Sequence, residues 1–181
     1  MGKAALFLAT GFEEIEAISI IDVLRRGGLD LVTISVSGME DVEGSHGVIV
    51  KSDALFFSID YSEYDLFILP GGPGTENLKK HEGLCDLLVQ VHNEGKRIAA
   101  ICAAPSVLGE MKILEGKMAT CYPGYEEELK GAHVLNQEIV RDGNVVTGKG
   151  PGVSMKFAFE ILKDYLEPEA IEELKERMII H

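Results

Sequence analysis

Short β-rich apolar runs alternate with amphipathic stretches along this chain, and that alternation limits its fold more than any other feature. Residues 4–9, 31–36, 66–69, 98–102, 118–122 and 145–147 read as strands, several of them apolar on both faces. Such strands need cover above and below, which places them in a sheet between two layers of helix. Residues 13–26 carry Ile15, Ile18, Ile21 and Leu24 at near-helical spacing, with Gly27 and Gly28 to stop the helix. Residues 84–93 end at Gly95, and 153–165 follow Pro151 and Gly152. Residues 38–53, rich in glycine around Val48, Ile49 and Val50, read as an inserted β-hairpin, and 167–177 as a surface helix opened by Pro168. The expected fold is a doubly wound α/β sandwich with a mostly parallel sheet. One domain is expected over residues 1–181, closed by a C-terminal helix within 165–181.

With 181 residues, 46% hydrophobic and 26% charged, the chain is long and apolar enough for a real core. A net charge of −13 argues against a nucleic-acid partner, because no basic stripe offsets repulsion from phosphates. The first apolar run, from Ala4 to Ala9, is too short for a secretory signal or a membrane span. Leu6 stands where a myristoylation signal has Ser or Thr. No membrane contact is therefore expected, and because Cys85, Cys102 and Cys121 cannot all pair and match no zinc or CxxC pattern, three scattered thiols without a signal peptide fit a reducing cytoplasm. His46, His81, His92, His133 and His181 show no metal-ligand spacing, so no metal is expected; His81 and His92 are expected to be solvated.

In doubly wound sheets the site lies beyond the carboxyl ends of the strands. Cys102 follows the run Ile98, Ala99, Ala100, Ile101, and precedes Ala103, Ala104 and Pro105, a strand-to-helix elbow with small residues for the turn. The N–H groups of a helix start would there lower the thiol pKa; the plain alternative is a buried cysteine closing a strand. Glu13, Glu14 and Glu16 cluster at the start of the first helix. The helix dipole accounts for Glu13 and Glu14. Glu16 sits in an apolar stretch and could face inward, where desolvation would keep it protonated beside the thiol. Gly71, Gly72, Pro73 and Gly74 lack a phosphate-loop pattern and read either as a tight turn or as a source of an oxyanion-binding N–H at Gly72.

At these residues the chain resembles the ThiJ/PfpI superfamily, in its deglycase branch. The resemblance rests on Gly11-Phe12-Glu13-Glu14-Ile15-Glu16, on Asp65 through Gly72, on Ala99-Ala100-Ile101-Cys102-Ala103-Ala104-Pro105, and on Asp142 through Thr147 leading to Gly150-Pro151-Gly152. These pieces span nearly the whole chain in order. The resemblance implies a flavodoxin-like three-layer sandwich and a homodimer that needs no cofactor. It also implies a Cys102 nucleophile, a protonated Glu16 partner, and backbone donors at Gly72 and Ala103 beside Gly71. Members are glyoxalases and deglycases of small reactive carbonyls, redox-responsive chaperones and, in a separate branch, peptidases. Ala103 stands where the peptidase branch has histidine, so a peptidase would need a histidine brought from elsewhere. Tyr122, before Pro123, stands where the deglycase branch has histidine, and His46 near where it has an arginine. Tyr122, Cys121 and Glu13 are further candidates for the pocket.

Overall fold

The computed structural model describes residues 2–180, so Met1 and His181 lie outside the description. The first strand shows why the sheet forms. In β1 (Lys3–Leu8), Ala4, Leu6 and Leu8 enter one apolar cluster, while Ala5 and Phe7, with Ala9 just beyond, enter a second on the opposite face. A period of two thus supplies two cores from one strand.

After α1 (Glu14–Arg26) the chain makes β2 (Asp30–Ser35), the antiparallel hairpin β3 (Asp41–Glu43) and β4 (Ile49–Lys51), and β5 (Ala54–Leu55). It continues through β6 (Leu66–Leu69), α2 (Thr75–Lys80), α3 (Glu82–Asn93), β7 (Arg97–Ile101) and α4 (Pro105–Glu110). Then come β8 (Met118–Ala119), β9 (His133–Val134), β10 (Ile139–Asp142), β11 (Val145–Gly148), α5 (Ser154–Leu162) and α6 (Pro168–Arg177). The main sheet runs β10-β11-β7-β6-β1-β2-β5, parallel except for β10 against β11. Residues of α1, α5 and α6 fill one cluster and residues of α2, α3 and α4 the other, giving the expected three layers and hairpin. The chain leaves β1 toward β2 and later returns on the other side as β6. The strand order reverses there, opening a crevice at the carboxyl ends of β1, β6 and β7.

Two expectations are corrected. Ile15 and Ile18 do not face the core but are 59% and 44% exposed, whereas Ala17, Ile20, Ile21 and Leu24 are buried. A spacing of three drifts about 60° around a helix at each step, and only the i, i+3, i+4, i+7 set stays on one face. The strand expected over 118–122 keeps only Met118–Ala119, paired with β9 outside the main sheet. Past Ala119, the Thr120 N–H turns to Thr147 Oγ1 and the Tyr122 N–H to the Cys102 carbonyl. Among the described residues no helix is long and apolar enough to cross a membrane.

Candidate active site

Cys102 follows β7 directly and adopts φ 65°, the left-handed region that costs a non-glycine residue about 1–2 kcal/mol. Two long-range hydrogen bonds hold it there. Its N–H donates to the Gly148 carbonyl at 2.9 Å, and its carbonyl accepts the Tyr122 N–H at 2.8 Å. Ser106 Oγ braces the following turn by donating to the Ala103 carbonyl at 2.7 Å. The elbow is therefore a strained turn that the surrounding structure enforces. Gly71 packs against it so closely that a Cβ there would lie 2.6 Å from Cys102 Cβ. Gly72, at φ 88°, turns the chain so that its N–H and that of Ala103 both reach the thiol.

Glu16 enters from α1 and is fully buried. Its Oε2 accepts the Gly71 N–H at 2.7 Å, Oε1 is left without a hydrogen-bond partner, and the carboxyl as a whole lies beside the Cys102 thiol. Burial pushes the Glu16 carboxyl up to about 7, against the pull of the Gly71 N–H and the thiol. Burial first, then the Glu16 charge and hydrogen bond, push the Cys102 thiol up to about 12, against the Gly72 and Ala103 N–H groups. The expected lowering of the thiol pKa by a helix start is thus overridden. The α4 helix has only six residues, and a buried carboxylate beside a thiol opposes its ionisation. Above about pH 7 the two acids hold a single proton between them.

Glu13 caps α1, its Oε2 accepting the Glu16 N–H at 2.7 Å, as an acid at a helix start should. Glu14 departs from that simple role. It is 9% exposed and its two oxygens accept the His46 N–H at 2.5 Å, His46 Nδ1 at 2.8 Å and Ser45 Oγ at 3.0 Å. Burial alone would raise its pKa, but these hydrogen bonds bring it down to about 2. The same contact raises the His46 imidazole above its ordinary value. Donor atoms of Glu13, Glu14 and His46 lie within 4.8 Å of one another, near enough to share an ion, although Glu14 is already satisfied by the hairpin. This cluster was not visible as metal-ligand spacing, because Glu14 and His46 stand on separate elements.

A cavity of about 520 Å³ opens over the thiol, lined by Glu13, His46, Gly72, Cys102, Ala103 and Tyr122 among others. Tyr125 and Glu76, which no motif flagged, also line it. Cys121 does not. Its neighbours Thr120, Pro123 and Asn136 line a separate cavity with it, and burial raises its thiol to about 11. The expectation of solvated histidines is also corrected. His81 caps α3 through Nδ1, accepting the Leu84 N–H at 3.0 Å, and packs its ring on Phe56. His92 is half-buried, with an unpartnered Nδ1.

Comparison with known proteins adds to this geometry. The model of the DJ-1/PfpI family matches residues 2–164. The chain is 38% identical over 98% of its length to an Arabidopsis thaliana protein named DJ-1 homolog B, and spans 41% of that longer protein. It is 30% identical, over 89% of its length and 98% of the relative's, to a Pyrococcus abyssi protein named a deglycase. Among solved structures, oxidised DJ-1 from Toxoplasma gondii superposes with a TM-score of 0.94 at 33% identity, covering 99% of each chain.

Proposed function

Because this chain belongs to the DJ-1/PfpI family, we propose that it is an enzyme of small reactive carbonyls, of the glyoxalase or deglycase kind. The observation that carries the reading is the one-proton pair formed by the enforced Cys102 elbow and the buried Glu16 carboxyl. Neither group needs a full negative charge in bulk water to react. Transfer of the thiol proton to Glu16 yields a thiolate beside a neutral carboxylic acid at the moment of attack.

For a 2-oxoaldehyde such as methylglyoxal, the Cys102 sulfur adds to the aldehyde carbon, forming a C–S bond and a hemithioacetal. The Gly72 and Ala103 N–H groups hold the developing oxyanion until it takes the proton from Glu16. Glu16, again a carboxylate, removes the hydrogen of that carbon as a proton, and the electron pair forms an enediolate. Returning the proton to the adjacent carbon, while the hydroxyl proton passes from the first oxygen to the second, gives a 2-hydroxyacyl thioester. One carbon is oxidised as its neighbour is reduced, so no outside electron carrier enters. Water then breaks the C–S bond and releases a 2-hydroxy acid. Wild-type protein should convert methylglyoxal to that acid, and Cys102→Ser should not. Equal turnover by the two would remove Cys102 from the reaction.

A second reading has its own observation, the N–H groups of Gly72 and Ala103 aimed at the sulfur beside Glu16. Those donors suit the oxygens of an oxidised cysteine, as in a redox sensor or holdase. Suppression of client aggregation that appears only after peroxide treatment would favour it. A homodimer is proposed as well, supported by the exposed Ile15 and Ile18 on α1. Sedimentation of wild type against Ile15→Glu tests it, and an unchanged sedimenting mass would rule out that face.

A further inference from the structure

The carbonyl reaction uses Glu16 and leaves a second proton-handling pair idle. That pair is Glu14 and His46, and it is built rather than incidental. The β3–β4 turn is stitched to the loop after β1 by the Gly11 N–H to the Glu43 carbonyl at 2.8 Å and the Ser45 N–H to the Phe12 carbonyl at 2.9 Å. Gly44 is the residue that lets Glu14 in, since a Cβ there would stand 2.4 Å from Glu14 Oε1. With Nδ1 engaged by Glu14 Oε2, Nε2 is the ring nitrogen left free, on a residue that lines the cavity. A carboxylate that fixes an imidazole and stabilises its cation is the arrangement a general base needs.

The two pairs also differ in their access to water. Glu16 has no exposed surface, whereas the His46 side chain is 74% exposed and lines the mouth of the cavity that holds Cys102. Proton transfer between substrate carbons gains from the dry group. Hydrolysis needs a base on the wet side. Resting on the carbonyl reading, we propose that His46, oriented by Glu14, is the general base that activates the water hydrolysing the Cys102 thioester. Nε2 takes a proton from water as its oxygen bonds to the thioester carbon. The tetrahedral intermediate collapses with cleavage of the C–S bond, and the imidazolium returns its proton to the departing sulfur. Thioester and water become thiol and 2-hydroxy acid, with no net proton gained or lost.

The test is rapid quenching of wild type, His46→Gln and His46→Ala with methylglyoxal, followed by hydroxylamine. Hydroxylamine converts a thioester into a hydroxamate, whereas a hemithioacetal gives an oxime. In both variants kcat should fall by about 10²-fold or more, the scale of a general base, with 2-hydroxyacyl hydroxamate recovered in proportion to enzyme. Free imidazole should restore turnover to His46→Ala, and alkylation of Cys102 by iodoacetamide should match wild type throughout. Unchanged kcat in His46→Gln would overturn the assignment. So would lost turnover with no trapped thioester, because His46 would then act in binding or addition. A wild-type protein with no turnover would overturn the carbonyl reading and this step with it, a result distinct from either of the others.

Discussion

Gly71 and Cys102 stand so close that a Cβ added to the glycine would lie 2.6 Å from the cysteine Cβ and 2.9 Å from the Ile101 carbonyl oxygen. The glycine is therefore required by contact, since its own backbone is not among the positive-φ positions. Its N–H also holds Glu16 Oε2. Gly71→Ala should push the elbow and the carboxyl apart, with a stability loss of about 1–3 kcal/mol typical of overpacking. Urea unfolding and Cys102 alkylation measure the two effects, and a variant normal in both would mean the elbow has slack.

The coupled acids give a second expectation. Wild-type alkylation by iodoacetamide should climb in two stages with pH, the first near 7 and the second toward 12, because the pair loses its protons separately. Glu16→Gln leaves one titrating group, so the profile should become a single stage below the upper wild-type one. Carbonyl turnover should be abolished in that variant while the thiol still reacts, since an amide cannot relay the proton. A single stage in the wild type would dissolve the pair.

Much of this site was legible because its parts are local. The run Ile98 to Ile101 announced a buried strand, and the small residues after it announced the turn that carries Cys102. Glu16 was readable from its apolar neighbours. The Glu14–His46 contact was not, since it joins residues 32 apart across a hairpin that leaves no room for a Cβ at Gly44 beside the Glu14 side chain. The thiol pKa was misjudged for a related reason. The helix start is local and visible in sequence, whereas the opposing Glu16 charge arrives from a distant element. Likewise, no spacing rule distinguishes the cavity over Cys102 from the separate one that takes Cys121.

Glu16 also makes stability depend on pH. Its folded pKa of about 7 lies above the ordinary 4.5, so between those values the folded chain keeps a proton the unfolded chain has lost. Stability contributed by that proton is full below about pH 4.5 and is lost as pH rises through 7. The total is on the order of 3 kcal/mol for a fully buried group. Glu16→Gln should lack this loss and be more stable than wild type at pH 8. Parallel stability curves for the two proteins would mean Glu16 ionises in the fold as it does in water.

Peroxide separates the three cysteines by chemistry rather than by access. Cys85, Cys102 and Cys121 are 9%, 7% and 4% exposed, so burial alone would not select Cys102. Only Cys102 combines a carboxyl that can accept its proton with the Gly72 and Ala103 N–H groups aimed at the sulfur. One peroxide should oxidise that thiolate to the sulfenate, releasing water, and a second should carry it to the sulfinate. A protonated Glu16 and the two N–H groups then satisfy the new oxygens and slow further attack. Peptide mass mapping should show two added oxygens on the Cys102 peptide first, with methylglyoxal turnover lost in step, because a sulfinate has no nucleophilic sulfur for the aldehyde. Glu16→Gln should weaken that protection and let the sulfonate accumulate. Earlier oxidation of Cys85 or Cys121, with Cys102 still reduced, would return Cys102 to the role of a small apolar residue closing β7.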